Sequence, residues 1–208
     1  MSKIQVMAHT SFLGHTGYNN HSRNFFTHLN KYIPTKVRNY SYCDDLSYLK
    51  PEEMSVIMES KWNDPPYKIG SSFVRDPEAT LVNIVLNESH HYYFYDNYDG
   101  IKIAYNVWES TRQPEDYFNR LLEFDYLWVP TEWQRQCSID QGYPSHRVFV
   151  IPEAVNGNIF FPEEERSLDE YKDGRFKFIL FGRWDYRKST TEIIKTFLKT
   201  LQISPSEQ

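Results

Sequence analysis

The sequence predicts an α/β fold built on a doubly wound parallel sheet, and three observations predict it. Short apolar runs alternate with segments of helical periodicity along most of the chain. Polar, glycine-bearing loops follow the carboxyl ends of those runs, where open parallel sheets bind their ligands. After a charged stretch at 158–174, which holds Pro162 and lacks periodicity, the alternation resumes with an apolar run at 176–181 and a helical pattern at 190–201.

Residues 3–8 predict the first strand, and 9–20 a polar loop punctuated by glycine. A helix is expected from Ser22 to Tyr32, with Phe25, Phe26 and Leu29 on one face. Residues 36–42 alternate weakly as a second strand, and 51–61 suit a short helix with Pro51 in its first turn. Asn63-Asp64-Pro65-Pro66 breaks the pattern, and the stretch to Thr80 carries no assignment. Residues 81–86 then read as a buried strand, 101–107 as another, 115–122 as a helix and 126–129 as a strand. Residues 132–141 are helical in pattern with Gly142 as their stop, and 148–152 close the series as a strand. The expected organisation is a first domain at 1–157, a linker at 158–174 and the start of a second domain at 175–208. One strand and one helix cannot bury a core of their own, so either they pack onto the first domain or a second domain is cut short, and the latter is the expectation.

Composition narrows the function. The net charge of -5 speaks against general nucleic-acid binding, so any anion site must be local. Aromatic residues make up 17% of the chain, which suits a core and also a cleft that stacks sugars or bases. The start of the chain is too short and polar for a signal peptide, and no apolar run approaches membrane-spanning length. Cys43 and Cys137 are too few for a disulfide framework and lack metal-ligand spacing. A soluble, reduced, cytoplasmic protein is expected.

The loop Gly182 to Lys188 holds two cations, Arg183 and Lys188, ahead of Ser189-Thr190, which suit a helix N-cap. A turning glycine, two cations and a helix N-terminus make a phosphate site. Arginine offers phosphate a planar fork, lysine a mobile point charge. The competing reading is a basic surface turn that caps a helix. In the loop after the first strand, Gly14, Gly17, Tyr18 and Asn19 are candidates for ligand contact, because glycine lets the backbone approach closely. A plain strand-to-helix turn fits there as well. The dinucleotide fingerprint needs a third glycine and an acidic residue farther on, and both are missing. That excludes a nicotinamide-dependent oxidoreductase.

His90 and His91 follow the 81–86 strand at the binding edge of the sheet. Either one is a candidate site residue, or both are exposed loop histidines in a tyrosine-rich segment. Adjacent histidines do not project together like the i, i+4 pair of a zinc helix, so no metal is expected. Glu109 ends the 101–107 strand, placed to accept hydrogen bonds from an acceptor hydroxyl, and Arg112 to pair with it or with an anionic acceptor. Alternatively Glu109 and Arg112 pair at the surface while Ser110 or Thr111 opens the next helix. Phe124, Trp128 and Trp133 are read as packing residues.

Three segments in order resemble a retaining glycosyltransferase of the GT-B fold, in glycosyltransferase family 4 (group 1). They are Trp108-Glu109-Ser110-Thr111-Arg112-Gln113-Pro114 leading to residues 124–133, Val150-Ile151-Pro152-Glu153-Ala154-Val155-Asn156 leading to Phe160-Phe161-Pro162, and the Gly182–Lys188 loop with Glu192, Ile193, Ile194 and Phe197 behind it. The resemblance covers roughly residues 100–200. It implies two Rossmann-like domains, the first holding the acceptor and the second a nucleotide-diphosphate sugar donor. It implies that Arg183 and Lys188 grip the diphosphate, that the Gly14–Asn20 loop lies near donor phosphates and acceptor, and that His90 or His91 contacts the transferred sugar. No cofactor or metal is implied, and transfer retains configuration by same-face attack. The acceptor would be a saccharide or a glycolipid, although no basic amphipathic helix speaks for a membrane surface. Departures are Ala154 and Asn156, where the family usually has glycine and aspartate, and Ser189, where glycine usually follows the lysine. The paired glutamates that the family places farther along have no counterpart. A chain of this extent also fits a non-catalytic carbohydrate- or protein-binding module derived from such a first domain.

Overall fold

The computed structural model describes residues 3–41, 43–57, 73–89, 99–162, 174 and 176–201. The strands are β1 (Ile4–Thr10), β2 (Thr35–Asn39), β3 (Thr80–Leu86), β4 (Ile101–Tyr105), β5 (Tyr126–Val129) and β6 (Val148–Val150). The helices are α1 (Gly17–Leu29), α2 (Pro51–Val56), α3 (Glu115–Leu122), α4 (Glu132–Gln141) and α5 (Thr190–Thr200). All six strands are parallel in one sheet of order β2-β1-β3-β4-β5-β6. This is a Rossmann-like α/β arrangement. The strand order reverses between β1 and β3, which opens a crevice at their carboxyl ends.

Burial on both faces explains why the central strands read as continuous apolar runs. Ile84 and Leu86 of β3 pack on one face with Ala8, Phe26, Val56 and Tyr105. Val85, between them in sequence, packs on the other with Ala104, Leu121, Leu127 and Val129. Helices α1 and α2 therefore cover one side and α3 and α4 the other. Helix starts follow local chemistry. Thr131 Oγ1 accepts from Gln134 N at 3.1 Å to open α4, and Gly142 closes it in the left-handed region at φ 116°. Glu115 and Asp116 in the first turn of α3 and Arg120 in its last complement the helix dipole.

The first helix begins at Gly17 rather than Ser22, because Thr16 and Asn19 form a capping box that nucleates it earlier. The strands expected at 101–107 and 148–152 stop two residues early, at Tyr105 and Val150, and the one expected at 36–42 stops at Asn39, whereas β1 runs on to Thr10. The predicted strand at 176–181 does not form. Phe176, Phe178, Ile179, Leu180 and Phe181 are all exposed, and no strand among the described residues pairs with them. A strand needs a neighbour for its N–H and C=O groups, and none is supplied among the described residues. Phe178 instead packs its ring 4.8 Å from that of Phe197 on α5.

The chain divides into two compact units, Met1–Phe160 and Phe161–Gln208. The sheet and its two cores lie wholly in the first. The second contains, among its described residues, a 3-10 turn at Tyr186–Lys188 and α5. Among the described residues no helix is long and apolar enough to cross a membrane.

Candidate functional site

In the first unit, the loop at 11–16 follows the carboxyl end of β1, where the strand order reverses. That loop has a fixed shape because its backbone groups already have partners. Asn39, buried at the end of β2, accepts from Phe12 N at 2.8 Å and Leu13 N at 3.1 Å through Oδ1. Tyr48 Oη accepts from Gly14 N at 2.6 Å. Arg23 donates through Nη1 to the carbonyls of Phe12 and Gly14, each at 2.7 Å, and its guanidinium lies 5.0 Å from the Tyr48 ring.

The candidates in this loop divide by role. Gly14 sits at φ 110°, and a Cβ there would come within 2.8 Å of Asn19 Oδ1, so glycine is demanded. Gly17 faces open space and is under no such constraint. Asn19 is buried and its side chain is committed to Thr16 and to the Ser11 carbonyl, so it shapes the loop rather than meeting a ligand. Tyr18 differs from both. Burial raises its phenol above the ordinary value, and the charges of Glu88, Glu109 and Glu153 raise it further. Those carboxylates follow β3, β4 and β6, so the strand ends bring their field together at one phenol. His21, one turn along α1, lies edge-on to Tyr105 at 5.2 Å. Burial lowers its imidazole below the ordinary value, and Glu153 opposes that shift.

Glu109 is exposed and contributes to this negative edge. Arg112 does not join it. No ion pair links the two among the described residues, and Arg112 instead borders a hollow between α3 and α4 with Glu115, Asn119 and Gln141. Its carbonyl accepts from Trp108 Nε1 at 3.0 Å, which closes the 108–112 loop locally. His90 and His91 lie outside the described residues. Nothing local in the sequence marks Glu88 or Glu153 for this role, because only the strand order brings their charges to bear on Tyr18.

In the second unit, Gly182 turns at φ 153° and the aliphatic stem of Lys188 runs past it, 3.7 Å from where a Cβ would stand. Arg183 Nε meets Asp185 Oδ2 at 2.8 Å, while Asp185 Oδ1 accepts from Lys188 N at 2.9 Å. One carboxylate thus ties both cationic residues, and Arg183 and Lys188 share a single turn. The hydrogen bond and charge of Arg183 hold the Asp185 carboxyl below its usual value, helped by the Lys188 amide. Ser189 follows at φ 52°, the one non-glycine in the left-handed region among the described residues. Among those residues, no three His, Cys, Asp or Glu side chains gather as metal ligands would.

No protein-family model matches the chain, and no solved structure does. A segment of 56 residues is 39% identical to a probable sucrose-phosphate synthase of Thermosipho melanesiensis. The likeness covers 27% of this chain and 12% of that protein, so the chain spans a small part of its relative. The relative is a glycosyltransferase, and the likeness supports a glycosyltransferase-like relationship for the segment.

Proposed function

We propose that this chain forms part of a glycosyltransferase of the GT-B, group 1 kind, moving a sugar from a nucleotide-diphosphate sugar to an acceptor hydroxyl with retention of configuration. The observation that carries the reading is the pairing of Arg183 and Lys188 in one turn ahead of α5. When the bond from the anomeric carbon to the diphosphate breaks, negative charge grows on the leaving phosphate. Two preorganised cations favour that transition state over the ground state. No metal is needed for a charge so neutralised. The partial likeness to a sucrose-phosphate synthase supports the same reaction class.

Glu109, exposed beyond the end of β4, is the candidate to accept a hydrogen bond from an acceptor hydroxyl. Cytoplasmic action is part of the proposal, in keeping with Cys43 and Cys137 as free thiols.

The test is a thermal-shift titration with uridine and adenosine diphosphates on the 208-residue chain. Ligand stabilisation should fall in Arg183→Ala and in Lys188→Ala. Stabilisation that both substitutions leave intact would refute the assignment of this loop.

A further inference from the structure

We infer that Asp185 is a positioning residue that presents Arg183 to the phosphates of the ligand. The inference rests on reading the Gly182–Lys188 loop as the phosphate site, and goes beyond it. Asp185 is an anion inside an anion site, which by charge alone is the wrong residue. Its geometry supplies the reason for it. One carboxylate oxygen holds Arg183 by Nε, and the other caps the turn that carries Lys188. Among the described residues, neither Arg183 Nη group makes a hydrogen bond, so the outer edge of the guanidinium stays open for a second oxyanion.

Stability does not account for the pair. The Arg183 side chain is 82% exposed, and an ion pair so open to water adds little to folding. What it changes is the freedom of Arg183. An unpaired arginine loses much rotamer entropy when it binds, whereas one already held by its Nε edge loses less. Asp185 therefore trades some attraction for a phosphate against a cation already in place. Thr190 Oγ1, 3.4 Å from the Arg183 carbonyl, braces the same residue from the start of α5.

Charge and positioning predict opposite signs, so one substitution decides between them. Asp185→Asn keeps an oxygen to cap Lys188 N but removes the negative charge. If Asp185 acted only through its charge, this variant would bind anions more tightly. Positioning predicts instead that uridine diphosphate binds about three- to tenfold more weakly, measured by calorimetry on the full chain. Asp185→Ser, which also retains a cap, should weaken binding likewise, provided that both variants keep the wild-type melting temperature. Because Asp185 works through Arg183, the double variant Asp185→Asn/Arg183→Ala should bind as Arg183→Ala does. Unchanged or tighter binding in Asp185→Asn, with Arg183→Ala still weakened, overturns the inference and leaves the phosphate site standing. Binding that survives Arg183→Ala and Lys188→Ala alike overturns both.

Discussion

Replacing Asn39 by alanine tests whether the 11–16 loop is held from the end of β2. Asn39 Oδ1 is the acceptor for the amides of Phe12 and Leu13, and both residues are buried. The substitution leaves two buried donors without a partner, at about 1–3 kcal/mol each. The expected loss is about 2–6 kcal/mol, a large share of the ~5–15 kcal/mol that a domain has. Tyr48→Phe is the internal control. It removes one acceptor, from the part-buried Gly14 amide, but keeps the ring beside His15 and Arg23. Its cost should be about 1 kcal/mol. Urea unfolding followed by tryptophan fluorescence reads both, since Trp128 packs against the same core. A loss below 1 kcal/mol in Asn39→Ala, or a ranking with Tyr48→Phe the more damaging, would refute the argument that these amides depend on Asn39.

Two further predictions concern stability. Burial drives the His9 imidazole down to about 3, with Arg38 adding to the shift and the Asn83 hydrogen bond opposing it. The unfolded chain takes up that proton near 6.5, so stability is full above that value and is lost as pH falls from there toward 3. The loss should reach about 2 kcal/mol at pH 5, and His9→Gln should remove that component. A urea midpoint in the wild type that stays constant from pH 7.5 to 5 would contradict it. Ser189→Gly relieves a left-handed serine whose hydroxyl makes only a 3.5 Å contact with the Tyr186 carbonyl. It should stabilise the start of α5 by about 0.5–1 kcal/mol, read as slower amide exchange in that helix; faster exchange would count against it.

Much of the fold was legible because burial leaves a periodic trace. Helices at 115–122 and 132–141 and the strand at 126–129 fall on the predicted residues, since each has a clear apolar pattern and a clear stop. The 176–181 segment failed because an apolar run states only a wish to be buried. Whether it becomes a strand depends on a neighbour, and periodicity carries no information about neighbours. Arg112 illustrates the same limit at the site. Only two residues separate it from Glu109, but the chain turns between them and sends it toward α3 and α4.

The amino-acid order by itself determined the parallel α/β class, the glycine at position 14 and the clustering of Arg183 with Lys188, since local propensity and short-range spacing suffice for these. Tertiary structure alone decided that Glu88, Glu109 and Glu153 share their field with Tyr18, that Asn39 supports the loop beyond β1, and that Asp185 restrains Arg183. The first two depend on strand order, which brings together carboxyl ends distant in sequence, and the third on a side-chain rotamer that residue spacing leaves open.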